Sequence, residues 1–141
     1  MNALEYLSQA YLLDQQIQSK LHQIEALRSL ATTMKAFSGD EPVSHTRNVT
    51  SLQDAVVKIL EEEAELNAEI DRLVDVRREI REVISRVRDP DLRLLLEKRH
   101  LCFESWPQIA RDMGHTDRWA TTKHMMALEV VRQILERMES G

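Results

Sequence analysis

The side chains best suited to chemistry lie between positions 105 and 131, and the chemistry they suit is non-covalent recognition. Ser105 and Gln108 have the S-x-x-Q spacing of a helix-capping pair. Pro107 is tolerated in a first helical turn. Ile109, Ala110 and Met113 give that short helix a buried face, and Gly114 supplies the chain reversal expected just past its end. Thr116 then caps a longer helix, with Asp117 favourable in its first turn. A short helix, a tight turn at Gly114-His115 and a longer capped helix are the parts of a helix-turn-helix. In that motif the second helix enters the major groove of DNA, which admits one helix, and its early residues reach base edges. The same parts also make a plain structural corner, so the spacing leaves both readings open.

Other reactive side chains form no constellation. His22, His45, His100, His115 and His124 have no metal-ligand spacing on a common helical face. His124 is expected to be packed or capping. Cys102 is the one cysteine, so no internal disulfide is available, and its place between Leu101 and Phe103 suggests a small core residue. Trp106 is expected to pack in the interior and not to stack on bases, whereas Trp119 is open to either use. Glu61, Glu62, Glu63 and Glu65 read as a solvated helical face and not as a mimic of DNA phosphates. No Ser/His/Asp order, phosphate loop or acidic metal cluster has supporting context. The expectation is a protein that is not an enzyme and has no cofactor or metal.

The elements that must position the 105–131 segment are helices. Residues 2–35 carry Leu4, Leu7, Tyr11, Ile17, Leu21, Ile24 and Leu27 at three- and four-residue steps, the period of one apolar stripe. Residues 36–51 contain Gly39, Pro42 and many short polar residues, which predicts a flexible linker, with Thr50 or Ser51 capping the next helix. Residues 52–88 are the most periodic. Leu52, Val56, Ile59, Leu66, Ile70, Leu73, Ile80, Ile84 and Val87 alternate four- and three-residue steps, and only Glu63 and Arg77 interrupt them. That is a coiled-coil seam, in which polar interruptions set register or partner choice. The helix of 2–35 folding back, a second chain, or both, must cover it. Asp89-Pro90 ends this helix and starts another, in which Leu92, Leu95, Leu96 and Leu101 form an apolar side. The last helix runs to about Met138, with Ala120, Ala127, Leu128, Val131, Ile134 and Leu135 on its core side.

Composition agrees with this reading. The chain has 141 residues, and aromatics make up only 4% of it, with 3 Gly and 3 Pro, which favours long helices over sheets. The net charge of −5 argues against a surface coated in basic residues for sequence-blind nucleic-acid binding. Residues 1–87 hold 10 Lys+Arg against 15 Asp+Glu, and residues 88–141 hold 9 against 9, so all the excess acid sits in the first part. The second part is free to present a locally positive face. No signal peptide is evident and no apolar run approaches the roughly 20 residues of a membrane span, so the expectation is a cytoplasmic protein without membrane contact.

The stretch SWPQIARDMGHTDRWATTKHMMALEVVRQIL resembles the fourth conserved region of bacterial sigma factors. It lines up without a gap on Ser105, Ile109, Ala110, Met113, Gly114, Thr116, Ala127 and Leu128. The preceding RDPDLRLLLEKRHL is similar to the first half of that region. With YLSQAYLLDQQIQSKLHQIEALRSLA, EIDRLVDVRREI and DRWATTKHMMAL in order, nearly the whole chain resembles small phage and prophage regulators built on this module. Two positions depart from the pattern. Ala120 is smaller than the usual branched residue, and Lys123 stands where an apolar residue is usually buried. Either the packing there is looser, or Lys123 turns its charge toward solvent or phosphate.

The resemblance implies a DNA-facing surface. Asp117, Arg118, Thr121 and Thr122 match positions that face DNA in sigma factors, and Met125 lies one turn further on. The Arg118 fork suits guanine O6 and N7. Arg111 and Lys123 suit phosphates, and Thr116 sits at an anion-favouring helix N-terminus. The expected fold is all-α: a helix over 1–35, a linker over 36–51, a long antiparallel or coiled-coil helix over 52–88, and a sigma-like helix-turn-helix domain over 89–141. The expected function is a phage-type transcriptional regulator acting at promoters on double-stranded DNA, with RNA polymerase as a second partner. Residues 1–88 are expected to form a homodimer or another homo-oligomer. The scarcity of aromatics favours an activator or accessory factor over a complete sigma factor. The alternatives are a DNA-packaging adaptor of the small-terminase kind and a helical protein-interaction module.

Overall fold

The structure, a computed structural model, describes residues 1–39 and 46–141, with side chains described for 1–36 and 51–141. Among the described residues every regular element is helical. The helices are α1 (Ala3–Gly39), α2 (Thr46–Ser85), α3 (Pro90–Leu96), α4 (Trp106–Met113) and α5 (Asp117–Ser140), with a π-helical turn at Glu97–Leu101 following α3. Among the described residues no helix is long and apolar enough to cross a membrane.

The expected linker of 36–51 is shorter than its composition suggested. Residues 36–39 lie in α1 and 46–51 in α2, so Thr50 and Ser51 do not cap that helix. The strong breakers, Gly39 and Pro42, are confined to the middle of the segment, and nothing from 46 to 51 forbids helix. The remainder of that expectation, residues 40–45, lies outside the described residues. At its other end α2 stops at Ser85, short of the expected 88. The chain tightens there through bonds from Arg86 N–H to the Val83 carbonyl (3.1 Å) and from Val87 N–H to the Ile84 carbonyl (3.0 Å).

The chain divides into two compact units, residues 15–73 and residues 1–14 with 74–141. The second is broader than the 89–141 segment, because both ends of the long-helix region belong to it.

In the first unit α1 and α2 run antiparallel. Lys20 Nζ meets Glu69 Oε2 at 2.7 Å and Arg28 meets Glu63 Oε1 at 2.8 Å, so numbers fall along α2 as they rise along α1. Glu63, the first polar interruption of the α2 seam, thus pairs with α1. Its neighbours Ile59 and Leu66 are buried, as are Ile17 and Ile24 of the same unit.

In the second unit the other interruption behaves alike: Arg77 lies 3.6 Å from Asp14. Ile80, Val83, Ile84 and Val87 are buried, as are Leu7, Leu95, Leu96, Ile109 and Val131. The α1 stripe is corrected in part. Leu4, Tyr11 and Leu21 are exposed, and the buried face runs through Ala3, Leu7, Ala10, Leu13, Ile17 and Ile24. Two of its members are alanines, which carry little hydrophobic signal yet let a neighbouring backbone approach closely. Asp89 caps α3, its carboxylate accepting from the N–H groups of Asp91 (2.9 Å) and Leu92 (3.2 Å), with Pro90 in the first turn as expected.

Candidate nucleic-acid interface

The segment singled out by its spacing folds through local chemistry. Ser105 caps α4 by accepting a long 3.4 Å bond from Gln108 N–H. Only half of the expected capping box forms, because the Gln108 side chain instead donates to Asp112 (2.8 Å) and accepts from Arg111 (2.9 Å). Gly114 ends α4 in the left-handed region at φ 74°, with His115 N–H donating to the Ala110 carbonyl at 2.9 Å. Thr116 caps α5, its hydroxyl oxygen accepting from Trp119 N–H at 3.1 Å.

Leu95 of α3, Ile109 and Ala110 of α4, and Ala120 of α5 form one buried cluster, with Trp106, Met113 and Trp119 packed against it. The two short elements are thereby held at a fixed angle to α5. Ala120 is fully buried and Lys123 half-buried. A half-buried lysine is accommodated there when its alkyl stem packs along the surface and its charge turns outward.

Gly114 gives a test of this turn. A Cβ added there meets nothing within 4 Å, so steric crowding is not at issue and the cost is that of a left-handed backbone. Gly114→Ala is expected to lower unfolding free energy by about 1 kcal/mol, and Gly114→Asn by less. Denaturant unfolding checks this; an alanine variant as stable as the parent would show that the turn does not require its positive φ.

Helix α5 has two opposed faces. Ala120, His124, Ala127, Val131 and Ile134 are buried. Arg118, Thr121, Thr122 and Met125, at i, i+3, i+4 and i+7, are exposed on the other side, Met125 at 73%. Thr116 and Asp117 precede them at the helix start, also exposed, and Arg111 is exposed on α4. Seven of the eight expected site residues therefore lie on the surface, with Lys123 half-buried on the flank. Among the described residues, Arg111, Arg118 and Lys123 form no ion pair with a carboxylate. Lys98, by contrast, is neutralised by Asp112 (3.3 Å) and Glu104 (3.6 Å). Thr121 donates its hydroxyl to the Arg118 carbonyl at 3.1 Å, which leaves its oxygen lone pairs for accepting.

Sequence reasoning named the aromatic groups beside this surface but missed how they pair. His115 stacks on Trp119 with ring centroids 3.7 Å apart and planes 10° from parallel. The four-residue spacing of two aromatics was the available signal. On the other side of α5, His100 Nε2 and His124 Nε2 are 2.9 Å apart and both rings are buried. One ring must donate and the other accept, so the neutral rings hold opposite tautomers. Burial first, then the charge each would feel from its neighbours, His124 and Arg99 for His100 and Arg99 for His124, pushes both down to about 4. Trp106 is half-buried, edge-on to His124 at 4.7 Å, with the Arg99 guanidinium 4.7 Å from its ring centre.

The π-helical turn that carries His100 ends in a backbone reversal. Glu104 N–H donates to the Lys98 carbonyl at 3.0 Å, and Phe103 occupies the left-handed position at φ 58° that glycine normally fills. A bulky residue there costs roughly 1–3 kcal/mol, held by the surrounding bonds. Cys102, expected in the core, is exposed: it lies on the outer side of this reversal.

No protein-family model, characterised protein or solved structure matches the chain. Among the described residues no group of three or more His, Cys, Asp or Glu side chains is placed to hold a metal ion.

Proposed function

We propose that this protein is a sequence-specific DNA-binding transcriptional regulator of the phage sigma-like kind. In this reading α4, the Gly114 turn and α5 act as a helix-turn-helix, and α5 enters the major groove. The observation that carries it is the row of Arg118, Thr121, Thr122 and Met125. It is exposed along one face of a helix whose opposite face is locked in the core, and it is flanked by Arg111 and Lys123, which form no ion pair among the described residues. A rigid helix with free donors and acceptors on its outer face meets the geometric need of base readout. Arg118 reads guanine, Thr122 meets a base edge or thymine methyl, and Arg111, Lys123 and the Thr116 end of α5 hold phosphates. The long helices α1 and α2 serve oligomerisation or contact with RNA polymerase.

The test is selection from a random duplex library with the full chain. The expected result is an enriched motif that Arg118→Ala, Thr122→Ala protein fails to enrich. A palindromic motif with half-sites roughly 34 Å apart, or a multiple of that, identifies a two-fold dimer. No enrichment by folded protein, alone or with RNA polymerase added, would sink the proposal.

A further inference from the structure

Beside α5, and away from its exposed row, the second unit holds a half-open groove of about 570 Å³. That volume lies in the range of small-ligand sites. Its walls are aromatic and aliphatic: the rings of Tyr11, Phe103 and Trp106, with Leu4 and Leu7. Tyr11 is 55% exposed and Leu4 46%, although both are large and apolar. Tyr11 and Phe103 meet edge to face at 5.3 Å, and Phe103 is placed there by its left-handed backbone.

The charge of this groove is one-sided. Among the described residues Arg99 lines it, and no carboxylate does. Arg99 donates one N–H to the Glu104 carbonyl at 2.9 Å, and among the described residues it forms no ion pair. The two histidines at the inner wall bond each other and are neutral at pH 7. A guanidinium 4.7 Å above the Trp106 ring in an apolar wall, without an ion pair among the described residues, is complementary to a planar apolar group that carries an anion.

We propose that this groove binds a small planar aromatic carboxylate, its ring between Tyr11 and Trp106 and its carboxylate on Arg99. His124 links the groove to α5 between Lys123 and Met125, so a ligand there touches the helix proposed to meet DNA. That consequence rests on the DNA-binding reading, whereas the binding site does not.

The experiment is calorimetric titration of the full chain with 2-naphthoate and with its neutral analogue 2-naphthalenemethanol, without DNA. The expected result is one site for the acid with a dissociation constant of about 1 mM or tighter, suited to a ligand of this size. The alcohol should bind at least about tenfold more weakly. Arg99→Gln is expected to erase that preference. Tyr11→Ala, a change at an exposed position that leaves the core intact, is expected to weaken the acid by about threefold or more. Equal binding of acid and alcohol to the parent protein overturns the proposal. So does the absence of saturable binding, or affinity unchanged in both variants. A protein that binds naphthoate but selects no duplex keeps this site and loses the regulatory reading, and the reverse outcome does the opposite.

Discussion

Lowering the pH from 7 to 4.5 is expected to cost this protein several kcal/mol of stability, lost mainly through His100 and His124. Both histidines are held neutral in the fold and driven down to about 4, against an ordinary value of 6.5. The unfolded chain therefore takes up protons first as the pH falls. Stability from this pair is complete above about 6.5 and declines as the pH drops from there toward 4. Each unit of pKa difference is about 1.4 kcal/mol, so each histidine contributes on the order of 2 kcal/mol over that window. The two share one hydrogen bond and titrate as a pair. The window also separates them from the carboxylates. Glu69, lowered first by its hydrogen bond from Lys20, and Glu129, lowered first by that from Arg132, lose their contributions only below the ordinary carboxylate value of 4.5. Urea unfolding at pH 7.0, 6.0, 5.0 and 4.5 reads the slope directly. His124→Gln retains a partner for His100 and removes one titrating group, so its loss should be about half that of the parent. A parent protein equally stable across this range would show that the pair is already charged or solvent-open in the fold.

The pair also marks where the sequence stopped being readable. Elements fixed by local chemistry were legible: the caps at Ser105 and Thr116, the left-handed Gly114 and the helix start at Pro90 all arise from one residue and its near neighbours. The α2 seam was legible because it repeats; all nine apolar positions and both polar interruptions are buried or half-buried. The α1 face was read partly on the wrong side, because leucines outweigh alanines in any hydrophobic pattern. Ala3 and Ala10 are buried, whereas Leu4 and Leu21 are not. What joins distant segments left no local trace. His100 and His124 are 24 positions apart, and nothing in either neighbourhood announces a partner. The reversal at Phe103 was hidden for a related reason, since an aromatic residue stands where glycine would have been the signal. That reversal also brings Cys102 to the surface, against the expectation set by its apolar neighbours. The residues expected to face DNA depended on resemblance for that role. The structure adds that Arg118, Thr121, Thr122 and Met125 share the outer face of α5, and the selection experiment decides what that face meets.

For the selected duplex, Arg118→Ala is expected to weaken binding by roughly 5- to 150-fold, the equivalent of about 1–3 kcal/mol for a bidentate base contact. The loss should be concentrated at one guanine: sites altered at that base pair bind the variant and the parent almost equally. Thr122→Ala adds a smaller, separate loss at a neighbouring position. Lys123→Met should behave differently. The residue lies half-buried on the flank of α5 and forms no ion pair among the described residues. Removing its charge weakens all sequences alike and reduces the slope of log affinity against log salt by about 1. The two patterns distinguish base reading from phosphate contact without a structure of the complex. Helix stability is not at stake in any of the three, because Arg118 and Thr122 are exposed and methionine is as good a helix former as lysine. If Arg118→Ala lowers affinity uniformly across sequences and lowers the salt slope, Arg118 is a phosphate contact. The base-reading face then has to be sought among Asp117, Thr121 and Met125. If it changes neither, α5 does not lie in the groove at all, and the outer face of α5 serves a protein partner instead.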